Sequence, residues 1–590
     1  MCGIAGAMSA DGSAPAGSVL DRMAAAIAHR GPDGRGDYAD ADVAMVQTRL
    51  AIIDLETGDQ PLYAEAEDEH GKLALVANGE IYNYVELRQT MNNIDYATGS
   101  DCESMLYLYR EHGLDFAEYL RGMYAVAIHD PADGALVLAR DPFGIKPLYY
   151  GVAEDGFVFA SEPQALLAAG LATRAVQPAK RDELLALQFT TGAETVFPGI
   201  YRVLPGETLI VRGGRIAERV RLSSLPPGAP VRMPRDQALD EFDRVISEAV
   251  NVHQRADVPY GMFLSGGIDS SVILAVMRRL NPTPVHALTA GFPGTGVHDE
   301  REHARDVAHA CGAEHEEITV TEEDFWRELP AIAACMDDPA ADYAIVPSYM
   351  LARRARESGL KVVLSGEGGD ELFAGYGRYR RQKRPAIIGG RKMRHQAILA
   401  GTGVLREEPV HWRDGFAQAE AEARGYGRNA LQTAQATDIA DWLPNDLLTK
   451  LDRCLMAHGV EGRVPFLDPF VANFAFQLPD SLKVKHGNGK WLLRKWLETA
   501  LPESKPFTKK RGFTVPVGDW IAGRGAALGP LVAAQQGIAE VCDADAVKRL
   551  FAAGREHGHA QWILLFYALW HQRHIIGADA ASDVFGVLET

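Results

Sequence analysis

Cysteine is scarce in this sequence, and none of it falls in a C-x-x-C pair. The six cysteines stand at 2, 102, 311, 335, 454 and 542 of 590 residues, spacing that argues against a zinc site and against a disulfide framework. Long apolar runs are missing too: none approaches the roughly 18–20 residues that a membrane span needs. The first 21 residues contain no Lys or Arg, so the basic start of a secretory signal is absent and a cytoplasmic location is expected. Cations are in deficit, with 60 Lys and Arg against 79 Asp and Glu, a net charge of −19. That disfavours nonspecific nucleic-acid binding. A phosphate-bearing ligand would have to be held by local cations, a metal and backbone amides, against the overall field. No G-x-x-x-x-G-K-[ST] occurs, which excludes a Walker P-loop.

What remains is a composition of 47% apolar and 24% charged residues, that of a globular enzyme. The length exceeds what one core ordinarily serves, so at least two domains are expected. Up to about residue 210, short β-rich runs (43–53, 73–77, 125–128, 135–139, 157–160) are bounded by Gly, Asp or Pro, with helical patterns near 19–28 and 102–111. This predicts an α+β domain rich in antiparallel sheet. The Pro- and Gly-rich stretch 222–235 breaks the pattern. Beyond it an amphipathic helix (236–252) precedes alternating strands and helices, with strands at 260–264, 285–290, 317–320 and 362–365. That alternation predicts a doubly wound α/β domain with a parallel sheet, followed by a largely helical end. The division expected is 1–212, a linker over 213–235, and 236–590.

Cys2 is the most informative residue of the front part. Removal of Met1 would leave a residue carrying both a thiol and an α-amine of pKa near ~8, so nucleophile and base come from one residue. Four further segments fit with it: His29-Arg30-Gly31-Pro32-Asp33-Gly34, Arg49-Leu50-Ala51-Ile52-Ile53-Asp54, Asn78-Gly79-Glu80-Ile81-Tyr82-Asn83 and Gly99-Ser100-Asp101-Cys102-Glu103. The last is expected to open a helix with Ser100 or Asp101 as its N-cap. With M-C-G-I in front, these segments resemble the class II glutamine amidotransferases, N-terminal-nucleophile hydrolases. The resemblance implies that Cys2 attacks the glutamine amide while the Asn78 side chain and the Gly79 N–H stabilise the oxyanion. It places glutamine against Arg49, Leu50, Ile52, Glu80 and Asp101, an arginine fork matching a carboxylate in a way lysine cannot. Gly79 is expected because a side chain would obstruct that approach.

In the back part, strand 260–264 runs into Ser265-Gly266-Gly267-Ile268-Asp269-Ser270-Ser271 at a helix start, an arrangement suited to anions. The heptapeptide resembles the PP-loop of ATP pyrophosphatases. A second strand leads into Ser365-Gly366-Glu367-Gly368-Gly369-Asp370-Glu371, where three glycines and three acids serve a ligand better than they serve packing. Asp269 and Asp370 are the candidate Mg²⁺ carboxylates. Farther on, 461–468 (EGRVPFLD) and Gly489-Lys490-Trp491-Leu492-Leu493-Arg494 supply a lysine suited to phosphate charge.

This half resembles the synthetase domain of glutamine-hydrolysing asparagine synthetases of the bacterial B type. The resemblance implies ATP as a substrate, Mg²⁺ as cofactor, and Glu367 and Lys490 as catalytic groups. It places the nucleotide against Phe263, Leu264, Ser265, Gly266, Gly267, Asp269, Ser270, Ala290, Ser365 and Gly366. Phe263, Ala290 and the acidic Asp337-Asp338-Pro339 depart from the residues usual in that family. The expected partners are glutamine, aspartate and ATP, with no nucleic acid or membrane, and a homodimer is left open. The same chemistry on another carboxylate acceptor is the alternative, since fold and motif do not set the acceptor.

Overall fold

The structure, a computed structural model, describes residues 2–64, 72–293, 300–382, 393–508 and 515–589. Its front part carries β1 (Gly3–Ser9), β2 (Gly34–Asp40), β3 (Val43–Arg49), β4 (Leu62–Ala64), β5 (Leu73–Ile81) and β6 (Gly122–Asp130). These are followed by β7 (Ala135–Arg140), β8 (Tyr149–Ala153), β9 (Gly156–Ala160), β10 (Ile200–Arg202), β11 (Glu207–Arg212) and β12 (Arg215–Arg221). They form two antiparallel sheets, in the orders β10-β8-β9-β1-β3-β2 and β12-β11-β7-β6-β5-β4.

The sheets pack face to face, and strand alternation shows how. Ile4 and Met8 of β1 meet Val76, Ala125 and Leu138 between the sheets. Ala5 and Ala7 point the other way, toward Leu20, Met23 and Ala24 of the helix Gly17–Ala26. The outer face of the second sheet is covered by Met105 and Leu106 of the helix Ser104–His112. The result is helix, sheet, sheet, helix. The exposed edge strands β2 and β12 are rich in Arg, Asp and Glu, which blunts edge-to-edge pairing. β12 corrects the sequence reading: part of the stretch 213–235 taken as linker completes the second sheet by pairing with β11. Only Ile216 and Val220 give it an apolar side, both half-buried, and the rest is exposed and mostly charged, so it reads as loop in isolation.

The back part holds a parallel sheet of β13 (Tyr260–Phe263), β14 (His286–Gly291), β15 (Glu314–Thr319), β16 (Val362–Leu364) and β17 (Glu461–Arg463), in the order β15-β14-β13-β16-β17. The order reverses direction at β13, whose neighbours are β14 and β16. Such a switch point opens a crevice beyond the carboxyl ends of the strands. It is there that the two glycine-rich segments, a hundred residues apart in sequence, become neighbours.

Buried ion pairs join the halves. Arg202 grips Asp338 through Nε at 2.8 Å and Nη2 at 2.7 Å, Arg121 reaches Asp468 at 2.7 Å, and Arg30 reaches Asp452 at 2.8 Å. One apolar cluster runs continuously from the helix beneath β1 into the back part. Among the described residues no helix is long and apolar enough to cross a membrane.

A buried lysine away from both sites yields a pH test. Lys483 is fully buried, donating to Gln435 Oε1 and the Phe476 carbonyl at 3.1 Å each. Burial pushes its pKa down to about 7, with Asp480 opposing. Between that value and the unfolded value of ~10.4 the unfolded chain holds more protons, so this group makes stability rise with pH over that window. Lys483→Met should therefore gain most relative to wild type below pH 7, and the gap should shrink toward pH 10. Thermal melts of both proteins across pH 6–10 check it, and a gap independent of pH would refute it.

Candidate active site

The front site forms where β1, β3 and β5 begin or end. Cys2, buried, donates its backbone N–H to Asn78 Oδ1 at 3.1 Å. Asn78 sits fully buried on β5 opposite Ala125, and its Nδ2 is buried with no hydrogen-bond partner among the described residues. A buried amide donor without an acceptor is costly and calls for a ligand to explain it. Burial raises the Cys2 thiol above its ordinary pKa, and the Leu50 backbone and Arg49 oppose this.

The structure brings Glu80 into the same pocket, where burial raises its carboxyl well above the usual range and Arg463 lies 3.2 Å away. Asp101 is buried as well, pushed up to about 6 by burial. The expected helix cap is not formed: Ser100 makes no side-chain cap bond, and Asp101 instead accepts the Ile81 N–H at 2.6 Å. Tertiary pairing claims a carboxylate that local sequence assigns to its own helix. The reason given for Gly79 also changes. A Cβ there would lie 2.3 Å from the Met123 carbonyl and 2.6 Å from Tyr124 Cα, so close approach of β6 already excludes a side chain.

Arg49 ends β3 and bonds Asp59 Oδ1 at 2.6 Å and the Asp54 carbonyl at 2.5 Å. Leu50 and Ile52 are buried in the core beside it. Their segment is pinned from several sides, Ala51 N–H to Asp33 at 2.9 Å, Lys361 to Asp33 at 2.8 Å, and Asp54 N–H to Asp257 at 2.7 Å.

The back site is a cleft of about 540 Å³ at the switch point. Of the residues named from sequence, Phe263, Leu264, Ser265, Gly267, Asp269, Ser270, Ala290, Ser365, Gly366, Glu367 and Asp370 line it. The helix Ile268–Leu280 begins there with glycine as its N-cap and no side-chain cap bond, so its first N–H groups face the cleft as an anion site. Gly266 has φ +69°, the left-handed turn that glycine adopts without strain. Ser265 Oγ accepts the Gly267 N–H at 3.2 Å and lies 3.1 Å from Ser270 Oγ. A Cβ on Gly369 would fall 2.5 Å from Asp269 Oδ1; the second glycine segment is thin so that Asp269 can lie against it.

Lys490 completes this arrangement. Its Nζ bonds Asp370 at 2.6 Å and pairs closely with Asp269. Burial works against its charge, but the two carboxylates outweigh it and hold the pKa above the ordinary lysine value. The sequence reading missed Lys450, which lies 3.2 Å from Asp342 and 3.6 Å from Glu367 in the same cleft. The sequence alone gives no signal for it, because what marks it is burial. Within 449–453 a helix carries Thr, Lys, Asp and Arg on all faces, yet every one is buried, which is tolerable only with partners. Asp337 and Asp338 do not line the cleft; Asp337 binds Arg453 within the back half and accepts the Gln164 N–H of the front half at 3.0 Å, and Asp338 binds Arg202 across the halves.

A divalent ion fits this site. Among the described residues no cluster of three or more ligating side chains occurs. Two carboxylates at a phosphate-type helix start are the hard oxygen donors Mg²⁺ takes up together with substrate phosphates.

The chain matches the glutamine amidotransferase domain over residues 1–220 and asparagine synthase over residues 241–572. It is 33% identical to asparagine synthetase [glutamine-hydrolyzing] 1 of Bacillus subtilis (strain 168), over 94% of each chain. It is 34% identical to a putative asparagine synthetase [glutamine-hydrolyzing] of Mycobacterium tuberculosis H37Rv, over 97% of each. Asparagine synthetase B [glutamine-hydrolyzing] of Escherichia coli K12 is 30% identical over 84% of this chain and 78% of that one.

Proposed function

The chain belongs to the asparagine synthase family, with a glutamine amidotransferase domain at its front, and on that premise we propose that it makes asparagine from aspartate, glutamine and ATP. One observation carries the reading: a single chain holds both a buried thiol bonded through its backbone to Asn78 and a cleft where Lys490 bridges two carboxylates beside an anion-binding helix start.

At the front, the Cys2 thiol gives its proton to the α-amine exposed by loss of Met1 and attacks the glutamine side-chain carbonyl. The oxyanion takes hydrogen bonds from Asn78 Nδ2, the buried donor without a partner among the described residues, and from the Gly79 N–H. One such donor is typically worth ~10²–10³ in rate. Ammonia leaves, and water releases glutamate from the thioester. Arg49 exchanges its Asp59 contact for the substrate α-carboxylate, with Glu80 and Asp101 toward the α-ammonium.

At the back, the aspartate β-carboxylate attacks the α-phosphorus of ATP, and pyrophosphate departs toward the N–H groups of 266–270 and the Lys490 ammonium. Asp269 and Asp370 would hold Mg²⁺, which when bound neutralises charge developing on the phosphate oxygens. Neutral ammonia then displaces AMP from the acyl adenylate. The amide, AMP, pyrophosphate and glutamate form in equal amounts.

The test is a product screen by mass spectrometry with ATP, Mg²⁺ and glutamine, offering aspartate beside a panel of other carboxylates. Asparagine with AMP and pyrophosphate is the expected outcome. Amidation of a different acid alone, or ADP in place of AMP, would overturn the assignment.

A further inference from the structure

Arg30 belongs to neither site as described, yet it is fully buried between them. Its Nε donates to the Cys2 carbonyl at 3.2 Å. The other edge of the guanidinium grips Asp452 in a fork, Nη1 to Oδ2 at 2.8 Å and Nη2 to Oδ1 at 3.0 Å, while Nη1 also meets Glu162 at 2.6 Å. Cys2 and Arg30 belong to the front half. Asp452 belongs to the back half, on the helix Thr449–Met456. Two residues before it on that helix is Lys450, whose ammonium faces Asp342 and Glu367 in the synthetase cleft.

A planar fork with both ends committed is a stiff connection. One end holds the backbone of the nucleophile, and a misplacement of ~1 Å there can cost about a hundredfold in rate. The other end holds a helix whose lysine must change partners when a carboxylate or phosphate enters the cleft. We propose that the Arg30–Asp452 pair is the positioning contact through which occupancy of the synthetase cleft sets the rate of glutamine hydrolysis at Cys2. This rests on the two-site reading above. Ligands in the cleft then stimulate the glutaminase, and glutamine tightens cleft binding by the same factor, because coupling between binding sites is reciprocal.

The experiment measures glutamate release by the full chain with and without saturating ATP, Mg²⁺ and aspartate, alongside synthesis from ammonium chloride. In wild type, filling the cleft should stimulate release by a factor within the roughly 5- to 150-fold range of such couplings. Asp452→Asn keeps volume and removes the charge. Its stimulation ratio should fall to near one, with ammonium-dependent synthesis retained and the glutamate-to-asparagine ratio rising above wild type. Arg30→Lys cannot hold Asp452 in a fork while reaching Cys2, so it should lose stimulation too. The double variant should lose no more than either single one. Stimulation kept in Asp452→Asn, ammonium-dependent synthesis lost in step with stimulation, or additive losses in the double variant would each overturn the proposal. A wild-type enzyme that makes asparagine without any stimulation overturns the coupling alone. One that makes none from ammonium chloride overturns the reading beneath it.

Discussion

Cys2→Ala should abolish glutamine-dependent asparagine formation and leave synthesis from ammonium salts close to wild type. The thiol is the proposed nucleophile of the front site, so its loss should remove the covalent route altogether. Several decades of rate are at stake. The substitution removes one sulfur from a small pocket, and the bonds that hold the segment are made by backbone: Cys2 N–H to Asn78, Cys2 carbonyl to Arg30, Gly3 N–H to Thr48 Oγ1 at 3.2 Å. All survive in alanine. The back cleft shares no side chain with this site. Paired assays with glutamine and with ammonium chloride as nitrogen source decide the matter; equal loss in both, in a protein that remains folded, would refute the separation of sites. Intact-mass analysis of the same wild-type preparation should show a chain beginning at Cys2.

The second large effect is expected at the other site. Asp269→Asn or Asp370→Asn should lower ammonium-dependent pyrophosphate release by several decades, while glutamate release without ATP continues. Both carboxylates share Lys490, at 2.6 Å in the case of Asp370. An amide of the same volume keeps the packing and removes one negative charge. That change weakens the grip on Mg²⁺ and leaves the lysine pulled to one side, away from the departing phosphate. Each ~1.4 kcal/mol of lost transition-state stabilisation is a factor of ten, and a group that organises both ion and lysine commands several such factors. Supplying ammonium chloride bypasses Cys2, so the measurement isolates this cleft. Near-normal release in both variants would show that the nucleotide sits elsewhere.

The heptapeptide 265–271 and the segment 365–371 were legible because their chemistry is local. Backbone N–H groups, glycines and acids act within a few residues of one another, so adjacency in the chain is adjacency in space. The parallel sheet was legible for a related reason: strands buried on both faces read as short apolar runs. Lys450 was not legible as a cleft residue, nor Asp337 and Asp338 as inter-half anchors. Their partners Glu367, Gln164 and Arg202 lie between 83 and 173 residues away. β12 was read as linker because its register is imposed by β11 and its own apolar side is only the half-buried Ile216 and Val220. Asp101 was assigned to a helix start that it does not cap, since the Ile81 N–H competes for the same carboxylate and prevails.

By itself the sequence determined the candidate reacting groups: a thiol at position 2, a glycine turn into a helix, acids in a second glycine segment and a lysine farther on. It also determined the two-part plan, because hydrophobic period and turn residues are properties of short windows. The tertiary structure alone decided which charge faces which. Arg30 meets Asp452 across 422 positions, and Lys490 meets Asp269 across 221. Coulomb and hydrogen-bond energies are settled within a few ångströms, and burial strips away the water that would otherwise screen them. Those ångströms are set by how the sheets and helices of both halves pack on a shared apolar core.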